Sequence, residues 1–126
     1  MDSRTPISRV NHLGSAKEGA HHWWLQRLSG LALVPLLLWF VVALVSVAGA
    51  DYPIVVEWIS RPHVTVFMVI LIALVFYHAQ LGVQVIIEDY VDIEWIKIAS
   101  LIAAKFALTL LGVAGILAVL RVAFGG

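Results

Sequence analysis

Apolar residues in this chain fall into three long blocks separated by short polar stretches, with no helical or strand alternation inside them. The blocks run from about Leu28 to Ala48, Val64 to Ile87 and Ile98 to Leu120. At a helical rise of about 1.5 Å per residue, the first gives about 30 Å, the thickness of a bilayer's hydrocarbon core. The second gives about 36 Å, a length that tilting accommodates. The pattern predicts an all-α membrane protein with three transmembrane helices.

The polar positions set the boundaries. Residues 1–22 set Arg4, Arg9 and Lys17 against Asp2 and Glu18, with Pro6, Gly14 and Gly19 among them. They read as an irregular tail or a short amphipathic arm outside the bilayer. His21-His22-Trp23-Trp24 suits the headgroup layer, where amphipathic rings rest with a wet polar edge. The chain then divides into spans over 23–49, 64–88 and 97–121, with loops over 50–63 and 89–96. Pro53 and Pro62 bracket a short segment of the first loop, with Tyr52 and Trp58 expected as its interfacial anchors; Trp95 does the same in the second. Pro35 predicts a kink in the first span, and Ser29-Gly30 permits close helix contact there. Ala104, Ala107, Gly115 and Ala118 form a small-residue stripe on the third span.

Composition sharpens this picture. The 126 residues are 62% apolar and 13% charged, against roughly 45–50% and about 25% in soluble domains. Mean hydropathy is +0.99. The length fits a single membrane domain. Zero net charge points to no polyanion and no nucleic acid as partner. The absence of cysteine excludes disulfides, thiolate zinc sites and cysteine-held iron–sulfur clusters within the chain. The polar start lacks the short apolar core and small-residue cleavage site of a secretory signal. Near the spans, Arg4, Arg9, Lys17, Arg27 and Lys97 lie on one side, and Arg61 and Arg121 on the other. The positive-inside rule then places the N-terminus and second loop in the cytoplasm and the first loop in the periplasm.

One stretch carries most of the candidate chemistry, from Phe76 to Tyr90. His78 lies deep in an apolar run, where an imidazole is costly without a partner. It can hydrogen-bond a neighbouring helix, take part in a proton relay, or ligate haem iron as a neutral imidazole. Gly82, one turn on, offers a bare patch against which a flat macrocycle can lie. The other histidines sit at interface or loop positions, so a second axial ligand has to come from another subunit. Asp89 and Tyr90 end the run, as a solvated acid and belt tyrosine commonly do. Eleven steps of about 100° bring Asp89 back to the face of His78, about 16 Å along the axis. A tyrosine hydroxyl at such a rim can donate to a quinone carbonyl, and a carboxylate beside it can orient a basic group or pass protons.

The pattern His78-x10-Asp89-Tyr90 in the second of three spans resembles the hydrophobic membrane-anchor (D) subunit of succinate dehydrogenase, complex II. The run Gly14-Ser15-Ala16-Lys17-Glu18-Gly19, followed by His21-His22-Trp23-Trp24-Leu25-Gln26-Arg27, is similar to the N-terminal region of its alphaproteobacterial members. The resemblance implies a flavoprotein subunit with covalent FAD, an iron–sulfur subunit and a second, cytochrome b-type anchor as partners, in the bacterial inner membrane. It implies haem b shared between the anchors, with His78 as one axial ligand and Arg27 facing the propionates. It further implies ubiquinone as substrate, with Tyr90 on its carbonyl and Asp89 beside it, paired to an arginine of the other anchor. Arg27-Leu28-Ser29-Gly30 also echoes a motif of the larger anchor whose serine and arginine line the quinone site. Lys105 reads as a snorkelling lysine or a contact to another subunit. Such a chain performs no catalysis alone. Three other readings are a fumarate reductase anchor, a cofactor-free scaffold in which His78 only bridges helices, and a small channel subunit, the last opposed by the lack of a polar stripe through any span.

Overall fold

The computed structural model describes the backbone of residues 6–125 and side chains from Gly19 to Gly125. Four helices follow in order: α1 over Pro6–Val47, α2 over Tyr52–Ser60, α3 over Pro62–Tyr90 and α4 over Glu94–Ala123. Three of them, over Gly19–Val47, Pro62–Tyr90 and Glu94–Ala123, are long and apolar enough to cross a membrane. This is an all-α, multi-pass membrane protein.

Of the two forms expected for the N-terminal segment, an irregular tail or a short amphipathic arm, the backbone is not the irregular one. From Pro6 onward its backbone is helical and runs into the first span without a break. Proline suits the first helical turn, where its missing N–H has no partner to lose. Gly14 and Gly19 each cost a helix interior only about 1 kcal/mol, too little to interrupt α1. The helix also continues through Pro35 without ending there. The side chains of Arg4, Arg9, Lys17 and Glu18 lie outside the described residues.

Local chemistry explains the turns. Gly49 ends α1 with φ of 78°, a left-handed conformation that glycine adopts without a Cβ clash. Pro53 stands in the first turn of α2 and Pro62 at the start of α3. Between them Arg61 is extended, with φ −64° and ψ 131°, as a residue preceding proline prefers. The Thr65 hydroxyl donates to the Ile59 carbonyl at 2.7 Å and ties the corner between the two helices.

Packing places α3 in the middle. It lies against α1 on one side and α4 on the other, and α1 and α4 do not touch among the described residues. Trp39 of α1 meets Phe67 of α3 edge-on at 5.2 Å. On the α4 side, a Cβ added to Gly112 would stand 3.2 Å from Phe76, and one added to Gly115 would stand 3.3 Å from Ile72. The close approach is therefore made by Gly112 and Gly115, whereas Ala107 and Ala118 of the expected stripe face outward. Trp58, expected as an interfacial anchor, is instead buried, 7% exposed, where α2 meets α3 and α4. Tyr52 remains outside. The buried apolar set is thin: Leu33, Trp58, Val64, Leu71, Leu81 and Val119 among the described residues. Large apolar side chains cover most of the outer faces, as lipid or a second membrane chain as neighbour requires.

Candidate functional site

The site is assembled at the contact of α1 with α3. The helical face of α1 that carries His22, Gln26 and Ser29 repeats at four and three residues, so these side chains lie in one row. Opposite them α3 presents His78 and, one turn on, Gly82. Ser29 is buried, only 5% exposed, and its Oγ lies 2.9 Å from His78 Nδ1. The same oxygen donates to the Gln26 carbonyl at 3.0 Å, a common way for a helical serine to satisfy its hydroxyl. His78 is half-buried, and among the described residues its Nε2 makes no hydrogen bond.

Two glycines shape this contact differently. A Cβ on Gly30 would stand 3.1 Å from His78 Cε1, so the imidazole edge rests directly on the α1 backbone. A Cβ on Gly82 would stand 3.6 Å from Gln26 Nε2. Gly82, singled out from the sequence as a rest for a macrocycle, has the Gln26 amide as its neighbour in this chain. The glycine that makes room for the His78 ring is Gly30. The dipeptide Ser29-Gly30 carried a signal for close approach, but nothing in the sequence said which residue approaches.

Two polar atoms on this row of α1 have no partner among the described residues. His22 Nε2 and Gln26 Oε1 are buried and unbonded. A buried polar atom left without a partner costs about 1–3 kcal/mol. Arg27 points outward, with its guanidinium 4.8 Å from the centre of the Trp23 ring. No group of three or more His, Asp or Glu side chains that could hold a metal ion occurs among the described residues. His78 is a single donor.

At the other end of α3, Asp89 and Tyr90 form its last turn, and Tyr90 is 81% exposed. Neither side chain has a hydrogen-bond partner among the described residues. Among the described residues no other side chain encloses them. On the α4 side, Gln80 donates to the Lys105 carbonyl and to Thr109 Oγ1, both at 3.3 Å, while Gln84 donates to Glu88 at 3.1 Å. Together they form a polar row on the outer part of the α3–α4 groove, which the block pattern of the sequence concealed. Lys105 is exposed.

Helices of membrane length, a half-buried imidazole at a helix contact and an open acid–tyrosine rim define a small membrane subunit. A family model described as the succinate dehydrogenase/fumarate reductase transmembrane subunit matches residues 1–112. The chain belongs to that family. It is similar to the succinate dehydrogenase hydrophobic membrane anchor subunit of Rickettsia bellii, with 36% identity covering 94% of each chain. The succinate dehydrogenase membrane anchor subunit of Reclinomonas americana is 36% identical over 74% of this chain and 80% of its own. The corresponding hydrophobic anchor subunit of Paracoccus denitrificans is 27% identical over 68% of this chain and 67% of its own. No solved structure gives a significant match.

Proposed function

We propose that this membrane anchor subunit of succinate dehydrogenase holds one side of a haem b and one wall of a ubiquinone-reduction site, passing electrons from succinate oxidation to the quinone pool. Its partners are a flavoprotein subunit with FAD, an iron–sulfur subunit and a second, cytochrome b-type anchor, in the bacterial inner membrane. The N-terminus and second loop face the cytoplasm. A fumarate reductase anchor running the reaction in reverse uses the same parts, because direction is set by potentials and quinone type.

The observation that carries this reading is His78: an imidazole in the lipid-depth part of α3, held through Nδ1, with no bond at Nε2 among the described residues. His78 would hold haem iron through this nitrogen, and the other anchor would supply a second ligand. The Gly30 contact supports the fit, since it seats the ring edge against backbone. Haem b, when bound, supplies a one-electron carrier between the helices. Arg27, at the start of the first apolar block, pairs with its propionates. Gly82 keeps the helix surface next to His78 low. At the rim, the Tyr90 hydroxyl donates a hydrogen bond to a quinone carbonyl, and Asp89 orients an arginine of the other anchor.

A second reading has one observation in its favour. The Ser29–His78 hydrogen bond satisfies one ring nitrogen without any cofactor, as a scaffold helix pair does. A reduced-minus-oxidised optical spectrum of the complex purified in mild detergent separates the two. The haem reading expects a b-type signal that disappears in His78→Ala. Haem at wild-type occupancy and potential in that variant would sink the ligand assignment.

A further inference from the structure

The Ser29 hydroxyl has one hydrogen and two close neighbours, the Gln26 carbonyl at 3.0 Å and His78 Nδ1 at 2.9 Å. A carbonyl only accepts. Both contacts are hydrogen bonds together in a single arrangement: Ser29 donates to Gln26, and His78 donates its Nδ1–H to Ser29 Oγ. In a neutral imidazole a proton on Nδ1 leaves the lone pair on Nε2. With the proton on Nε2 instead, the serine would have to choose between its two neighbours, leaving one unpaired where water is scarce. Ser29 is 5% exposed, so solvent does not substitute for the missing bond.

Gly30 adds the orientation. The His78 Cε1 edge would lie 3.1 Å from a Cβ at this position, closer than side chains ordinarily tolerate. With Nδ1 on the serine oxygen and Nε2 3.8 Å from the same Cβ position, the ring lies against two successive residues of α1, which limits its last torsion.

From these contacts we propose that Ser29 is the positioning residue for His78: it fixes the Nδ1–H tautomer, so that Nε2, held beside Gly30, carries the lone pair as the metal donor. The proposal rests on the reading of His78 as a haem ligand. It also assigns Ser29 away from the quinone, because its hydroxyl is already used on both sides and is buried. A hydrogen-bond acceptor behind a ligating imidazole makes the ring a stronger donor, and losing such a partner typically costs 10–100-fold in affinity for the metal group.

The test uses the complex purified with its native subunits, with haem measured per mole of this chain. In Ser29→Ala, haem is lost on dilution at least about tenfold more readily, and the haem that remains has a raised midpoint potential, because a weaker donor favours the reduced iron. Ser29→Thr keeps the hydroxyl and restores both values, whereas the isosteric Ser29→Val does not. The Thr and Val pair also answers the question if the alanine variant assembles poorly, since the two differ by one oxygen in the same volume. Wild-type retention and potential in Ser29→Ala, or identical values for Thr and Val, overturn the proposal. His78→Ala is run beside them: if that variant keeps its haem the ligand reading itself falls, and if it loses haem while Ser29→Val stays normal, only the positioning role does.

Discussion

A histidine in a lipid-depth helix has to be satisfied, and the identity of its partners decides what it can do. His78 has one nitrogen engaged by Ser29 and its edge against Gly30. That leaves the other nitrogen as the chemically available one. Tyr90 presents the opposite case, an exposed side chain with no hydrogen-bond partner among the described residues. Its hydroxyl matters only through what a partner or substrate brings. Removing a single neutral hydrogen bond to a quinone carbonyl is expected to cost about 1 kcal/mol, or about fivefold in rate. Tyr90→Phe should therefore slow quinone reduction by about that factor, with succinate oxidation by a soluble artificial acceptor unchanged. Wild-type quinone reduction in the variant would make Tyr90 a belt residue only.

Among the elements, α3 bears both neighbours and so transmits any change in packing. Its contact with α4 depends on two positions without side chains, Gly112 against Phe76 and Gly115 against Ile72. Protein interiors tolerate added volume poorly, and overpacking typically costs about 1–3 kcal/mol. Gly112→Leu should lower the thermal midpoint of the purified complex by an amount of that order and push α4 away from Phe76. An unchanged midpoint would mean that the α3–α4 contact is soft at this point. The short helix α2 closes the end of the molecule where α3 begins: Trp58 is buried there and the Thr65–Ile59 bond holds the corner. A tryptophan at a loop was expected to face the headgroups, because composition alone treats every aromatic near a span end alike. The fold back of α2 onto α4 made it a core residue instead.

At the scale of the molecule, a row of three helices with α1 and α4 apart leaves broad apolar faces on both sides of α3. Such a row is incomplete as a bundle. A membrane protein in this state is finished by lipid or by other chains, as membership in a family of transmembrane subunits leads one to expect. The proposed orientation has a direct test, because the chain contains no cysteine and any introduced thiol is unique. Glu57→Cys in α2 should be labelled by a membrane-impermeant maleimide from the periplasmic side. Asp92→Cys, between α3 and α4, should be labelled only after the cytoplasmic face is opened. The reverse pattern would invert the topology drawn from the basic residues.

The sequence by itself determined the solvent, the number of spans and their approximate ends, because water and lipid act on every residue through local composition, and no partner has to be known. It also marked His78, Asp89 and Tyr90 as unusual for their depth or position, and the family by their spacing. Tertiary structure decided the partnerships. Ser29 and His78 are 49 residues apart, and their contact exists only because α1 and α3 pack in one register. The same packing gave Gly82 the Gln26 amide as neighbour, moved the bare patch beside the imidazole to Gly30, and chose Gly112 over the outward-facing alanines of α4. A small residue announces that something can come close; which side chain does so depends on helix rotation and crossing, and those are fixed by the whole packed set.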